Sequence, residues 1–203
     1  MGCLKQTLPW GDSTVIGHIF DTLQPHCGAG MTVVVGSHRK EITAALSDRS
    51  FSIVQSDTNL QQYESICRGL DYFIHETEAF FALIQPADHP FIPSIVVNTL
   101  FENLLVMEHQ QQTAIIPTYQ NRGGHPVLIP RAVAAEILSW AQTIPTTTSP
   151  SHSPPTDTNK SSQFQGLKTF WQEHPDCVQR IETNEHSITT DLDTPTDYQQ
   201  HHP

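Results

Sequence analysis

The chain has 203 residues and 22.7 kDa, the size of one ordinary domain or of one domain with a tail. Ten Lys and Arg against 21 Asp and Glu give a net charge of −11, and such a surface repels phosphate backbones, which excludes broad nucleic-acid binding from the expected functions. The longest apolar run, Ala79 to Ile84, is far short of the roughly 18 residues that a membrane span needs. No basic segment followed by an apolar stretch opens the chain, so neither membrane nor secretion is expected and the cytoplasm is the expected compartment. The four cysteines (Cys3, Cys27, Cys67 and Cys177) are far apart and form no C-x-x-C pair. Reduced thiols are therefore expected rather than a structural zinc site or a disulfide framework.

In chain order, Val15, Ile16, Ile19, Phe20 and Leu23 have the spacing of an amphipathic helix over 14–22. Gly28-Ala-Gly30 breaks it, and Met31 to Val35 reads as a strand buried on both faces of a parallel sheet. A helix over 41–46, a strand over 51–54 and a helix over 63–76 follow. Phe80 to Ile84 reads as a strand running into Gln85-Pro-Ala-Asp-His-Pro90, then come a helix over 93–106, a strand over 114–116 and a helix over 132–140. This alternation predicts an α/β sheet with helices on both faces. Within 146–163, ten of 18 residues are Ser or Thr, three are Pro and none is aliphatic or aromatic. Such a composition predicts a disordered surface insertion. Core-like sequence resumes at Phe164, and the whole chain reads as one domain, 1–203.

Four positions stand out chemically. Asp88 follows an apolar strand, where open α/β sheets bind ligands, so it is either a carboxylate for a hard cation such as Mg²⁺ or a turn and cap residue. In Asp191-Leu-Asp193-Thr-Pro195 the two carboxylates are expected to point to opposite faces, with one facing a given site; Asp193 or Thr194 also suits the cap of a closing helix that Pro195 opens. In Pro117-Thr-Tyr-Gln-Asn-Arg-Gly-Gly-His-Pro-Val127 the paired glycines allow close approach to a ligand, and Arg122 and His125 suit phosphate. The same segment equally reads as a hairpin turn. Lys5 precedes a helix and on its own reads as solvated surface.

In order, CLKQTLPWGDSTVIGHIFDTL, TVVVGSH, ESICRGL, PADHPFI, IIPTYQNRGGHPVLIPRA and DLDTPTDY resemble the molybdenum cofactor nucleotidyltransferases, in particular the molybdopterin cytidylyltransferase branch, across all but 146–163. That resemblance implies a three-layer, Rossmann-like α/β fold of the nucleotide-diphospho-sugar-transferase type with a mostly parallel sheet. It implies transfer of CMP or GMP from CTP or GTP to the phosphate of molybdopterin, with release of pyrophosphate. Mg²⁺ is the implied cofactor, and a molybdoenzyme or its maturation factor is an implied partner. Asp88 matches the family's Mg²⁺ aspartate, Lys5 the triphosphate lysine, and Asp191 and Asp193 the second acidic site. Gly2 falls in the nucleotide loop, while Arg122, Gly124 and His125 fall on the acceptor side.

The family opens with a strand and a loop of the form L-A-A-G-x-S-x-R-M-G, and Met1-Gly2 matches only its last two residues. The expectation is accordingly a first strand missing from the sheet, a hydrogen-bond gap in its place, and Met1 as an internal methionine of a longer reading frame. A degenerate, non-catalytic relative that binds cofactor or a maturation partner is the alternative expectation.

Overall fold

The computed structural model describes residues 4–56, 62–106, 112–144 and 166–202; Met1, Gly2 and the 146–163 segment lie outside the described residues. A 3-10 turn, Lys5–Thr7, leads into a hairpin of two short strands, β1 (Pro9–Trp10) and β2 (Ser13–Thr14). Thr14 then caps α1 (Val15–Leu23), its hydroxyl accepting from the Gly17 N–H at 3.1 Å, which satisfies one donor that the helix start leaves open. The apolar face that the 3–4 spacing predicts is the buried one: Val15, Ile16, Ile19, Phe20 and Leu23.

Next come β3 (Thr32–Val35), α2 (Arg39–Ala45), β4 (Ser52–Gln55) and α3 (Gln62–Glu76). Strands β3 and β4 form a parallel pair with Thr32 opposite Ser52 and Val35 opposite Gln55. The second sheet takes β5 (Phe81–Ile84), then, beyond α4 (Ser94–Val106), β6 (Ala114–Tyr119), β7 (Arg122–Gly123) and β8 (Val127–Pro130). Helices α5 (Arg131–Ala141) and α6 (Leu167–Glu173), strand β9 (Val178–Glu182) and α7 (Pro195–His201) complete the chain. The sheet order is β5-β8-β6, with β7 and β9 both paired to β6.

Alternate residues of β6 and β8 point to opposite faces, and each face carries helices. Ala114, Ile116, Val127 and Ile129 pack with Leu70 and Phe73 of α3, Ile137 of α5 and Phe170 of α6. Ile115 and Leu128 pack on the other side with Leu100 and Leu104 of α4. The result is the expected α/β class in three layers.

Strand directions are more mixed than the sequence suggests. Pairs β3–β4 and β6–β9 are parallel, whereas β8 runs antiparallel to both β5 and β6. The reason is the short return from β6 to β8: a parallel crossover needs about a dozen residues or more. Gln120 and Asn121 sit there at φ 50° and 64°, the two left-handed residues of a type I′ hairpin turn between β6 and β7. Glu182 of β9 braces that turn, accepting from the Thr118 hydroxyl at 2.7 Å and from the Gln120 N–H at 2.6 Å. Strand β3 also departs from the expected burial on both faces: Thr32 is exposed, Val33 and Val34 are half-buried, and Val35 alone is buried. Among the described residues β3 and β4 form a two-stranded sheet separate from the one that holds β5, β8, β6, β7 and β9.

Arg131, first residue of α5, fastens α3. Its guanidinium donates to the carbonyls of Phe73, Ile74, Thr77 and Ala79 at 3.2, 2.7, 2.5 and 2.9 Å, carbonyls at and just beyond the helix end that lack helical partners.

Candidate active site

The cluster forms beyond the carboxyl end of β5. The chain turns at Pro86–His89, with the His89 N–H donating to the Pro86 carbonyl at 3.3 Å and the Gln85 side-chain amide donating to the His89 carbonyl at 2.8 Å. The turn exposes part of Asp88 and buries His89 to 6% exposure. Prolines on both sides of the turn limit its alternatives.

The segment before α7 is laid across this turn. Leu192 is fully buried among Trp10, Ile92 and Val97, and its N–H donates to the Asp88 carbonyl at 3.2 Å. Burying Leu192 leaves Asp191 and Asp193 together on the outer side. The expected opposite orientation is therefore corrected: in an extended run residues i and i+2 share a face, and the residue between them takes the other. Asp191 contacts Nε2 of His89, and Asp193 accepts from the Lys5 ammonium at 3.0 Å. Thr194, not Asp193, caps α7, in a reciprocal pair with Asp197.

His125 approaches from the β7–β8 connection. Its N–H donates to the Ile188 carbonyl at 3.0 Å, and its ring meets that of His89 edge-on, centroids 5.3 Å apart. Its Nδ1 is buried and has no hydrogen-bond partner among the described residues. Burial, reinforced by the charge of His89, lowers the His125 pKa to about 4, so the ring is neutral at pH 7. The Asp191 carboxyl is pushed up, first by burial and then by Asp193 and Asp88, against the pull of His89 and Lys5.

Lys5, Asp88, His125, Asp191 and Asp193 thus meet, although they come from distant parts of the sequence. His89 is the member that sequence reasoning missed; its signal was adjacency to Asp88 in the proline-bounded turn. Arg122 stands exposed on the hairpin opposite Tyr119 and is not drawn into the cluster. Gly124 is buried, and its close neighbour is protein: an added Cβ would lie 2.5 Å from the Ile188 carbonyl oxygen. The hollow lined by His26, Asn98, Phe101, Glu102 and Leu105 shares no residue with the cluster.

The acidic groups do not form a closed cage, since no set of three including Asp88, Asp191 or Asp193 has its ligand atoms within 4.8 Å of one another among the described residues. That suits a hard cation carried by phosphates. Mg²⁺ and its like are held by one or two carboxylates, with water and substrate oxygens completing the shell. The repulsion from Asp193 and Asp88, which adds to burial in raising the Asp191 pKa, is what such a cation relieves.

Solved nucleotidyltransferases have this fold. A Methanothermobacter nucleotidyl transferase (Mth528) is similar over 98% of this chain and 83% of its own, with a TM-score of 0.70 at 16% identity. The manganese complex of Rv0371c from Mycobacterium tuberculosis H37Rv is similar over 98% and 91%, at 0.67 and 18%. CMP:2-keto-3-deoxy-manno-octonic acid synthetase complexed with CTP is similar over 97% and 89%, at 0.67 and 12%. At these identities the likeness establishes the fold alone. The family follows from sequence: the MobA-like NTP transferase domain matches residues 1–147, so the chain belongs to that family of nucleotidyltransferases. Asp191 and Asp193 lie beyond the matched residues. Among curated protein sequences none matches the chain.

Proposed function

We propose that the chain transfers a CMP or GMP group from CTP or GTP to the phosphate of molybdopterin. An acceptor phosphate oxygen attacks the α-phosphorus, the bond from that phosphorus to the bridging oxygen breaks, and pyrophosphate leaves with the electron pair. The observation that carries the reading is the meeting of Lys5, Asp88 and the Asp191–Asp193 pair beyond the end of β5 in a MobA-like chain.

Such a transfer needs positioning and neutralisation of charge more than covalent help from the protein. Lys5 is 28% exposed and held by one carboxylate oxygen, so it can exchange Asp193 for a triphosphate oxygen. Asp88, with Asp191 or Asp193, would hold Mg²⁺, which when bound supplies positive charge to the phosphates. His89 holds Asp191 in place, and His125, seated edge-on against His89, stands on the acceptor side. CTP and manganese in the fold neighbours are consistent with a nucleoside triphosphate and a divalent cation here.

Pyrophosphate release with CTP or GTP, Mg²⁺ and molybdopterin tests the reading. Release that requires the pterin and favours one nucleotide is the expected result. Binding of pterin without release from either nucleotide would replace it with a non-catalytic role in molybdoenzyme maturation.

A further inference from the structure

The described residues contain a second group of ligand-type side chains that shares nothing with the cluster above. Glu136 on α5, His174 at the end of α6 and Cys177 in the turn before β9 place one carboxylate oxygen, one imidazole nitrogen and one thiol sulfur within 4.8 Å of one another. We propose that these three residues form a zinc site that fastens α5 to the junction of α6 and β9.

Local structure presents the donors together. The His174 N–H closes α6 by donating to the Phe170 carbonyl at 2.9 Å, and the Cys177 N–H donates to the His174 carbonyl at 3.1 Å. The two side chains are thus three residues apart on a 3-10 turn, where i and i+3 fall on the same side. The imidazole stacks on Phe170, which is fully buried, with centroids 4.5 Å apart and planes at 20°, and this fixes the direction of the ring edge. The thiol donates to Glu136 Oε2 at 2.9 Å. Neighbouring Glu173 is engaged by the Trp140 indole N–H at 2.7 Å and is not a competing ligand.

Charge and donor type select the metal. Among the described residues no Lys or Arg pairs with Glu136, and Asp176 adds a further negative group beside Cys177. A sulfur, nitrogen and oxygen set suits tetrahedral Zn²⁺ and not the hard Mg²⁺ of the transfer site. Zinc bond lengths near 2.0–2.3 Å set such donors roughly 3.5 Å apart, between the 2.9 Å of the thiol–carboxylate contact and the 4.8 Å that bounds the group, and leave the fourth position for water. Bridging α5 to residues after α6 closes a long loop, the case in which a cross-link stabilises most. Sequence reasoning looked for paired cysteines and so passed over His174-x-x-Cys177 with a distant Glu136.

The test uses the full chain, stripped with a chelator and titrated with Zn²⁺ against a chromophoric competitor, and with Co²⁺ for its spectrum. The expected result is one equivalent bound, a thiolate-to-Co²⁺ charge-transfer band and a higher melting temperature with metal. Cys177→Ser removes the band, and Cys177→Ser, His174→Gln and Glu136→Gln each weaken Zn²⁺ binding beyond the roughly 10–100-fold typical of an outer-shell loss. Cys67→Ser leaves both unchanged. A Co²⁺ spectrum of the native chain without the thiolate band overturns the proposal, whether or not the variants fold. Saturation only at millimolar Zn²⁺, or equal affinity in Cys177→Ser, does so too.

Discussion

The Lys5 ammonium lies 3.0 Å from an Asp193 carboxylate oxygen, joining the first described turn to the segment before α7. The two side chains are 28% and 67% exposed, so as a structural link the pair is worth only about 0–1 kcal/mol. Its proposed value lies in chemistry. Lys5→Met is expected to leave the melting temperature almost unchanged and to lower pyrophosphate release on the order of 10²-fold, the usual cost of removing one electrostatic stabiliser. Parallel thermal melts and turnover assays check this. A large loss of stability with normal turnover would make the lysine a brace instead.

Asp88→Asn should separate charge from shape. The backbone carbonyl of Asp88, which accepts from Leu192, survives the change, so the turn and the segment laid over it should stand. The neutral amide holds a hard cation poorly. Turnover is expected to fall on the order of 10²-fold or more. Near-normal pyrophosphate release by a folded variant would show that Asp88 serves the turn alone.

The helices were legible because each carries its own periodicity: α1, α3, α4 and α5 fall within a residue or two of the stretches that spacing predicts. Strand β9 was not, since Val178-Gln-Arg-Ile-Glu182 neither alternates nor forms an apolar run, and it becomes a strand by pairing with β6. Asp88 and the Asp191–Asp193 pair were visible as residue types in turn-forming contexts. Which carboxylate meets which basic side chain was not visible, because His89 and Lys5 reach Asp191 and Asp193 only once Leu192 is buried. Paired glycines suggested a ligand, while the fold uses Gly124 against Ile188.

His125 gives the fold a pH dependence of defined sign. Its pKa is lowered from 6.5 to about 4, so the unfolded chain binds its proton first as pH falls. Stability from this group is complete above about pH 6.5 and is lost as pH falls toward 4, by about 3 kcal/mol in all. Urea unfolding at pH 7 and pH 4.5 should show a smaller acid loss in His125→Gln than in the native chain. Equal losses would place the acid sensitivity elsewhere.

Arg131→Met tests the junction of α3 and α5. The substitution keeps much of the apolar stem but leaves the carbonyls of Phe73, Ile74, Thr77 and Ala79 without their charged donor. Hydrogen bonds to a charged group are worth about 1.5–3 kcal/mol, and water replaces part of the loss at this half-exposed site, so about 2–4 kcal/mol is expected. The midpoint of urea unfolding should fall with little change in slope. An unchanged midpoint would mean that solvent caps α3 equally well.

The adjacent glycines of the hairpin should respond differently to a single methyl. At Gly124 an added Cβ would lie 2.5 Å from the Ile188 carbonyl oxygen and 2.6 Å from its Cγ1. Neither neighbour can yield easily, because Ile188 is fully buried and its carbonyl accepts the His125 N–H. Gly124→Ala must therefore push apart the contact that seats His125 beside His89, and overpacking of this kind costs about 1–3 kcal/mol. At Gly123 the nearest atom is Cγ2 of Ile116 at 3.4 Å, an ordinary contact for a side chain on an exposed strand. Gly123→Ala should change stability by less than about 0.5 kcal/mol. Unfolding midpoints of the two variants, with pyrophosphate release at a temperature where both are folded, make the comparison. Gly124→Ala should lose both stability and turnover and Gly123→Ala neither; the reverse order would show that ligand approach at Gly123, not the packing of Gly124 on Ile188, explains the pair.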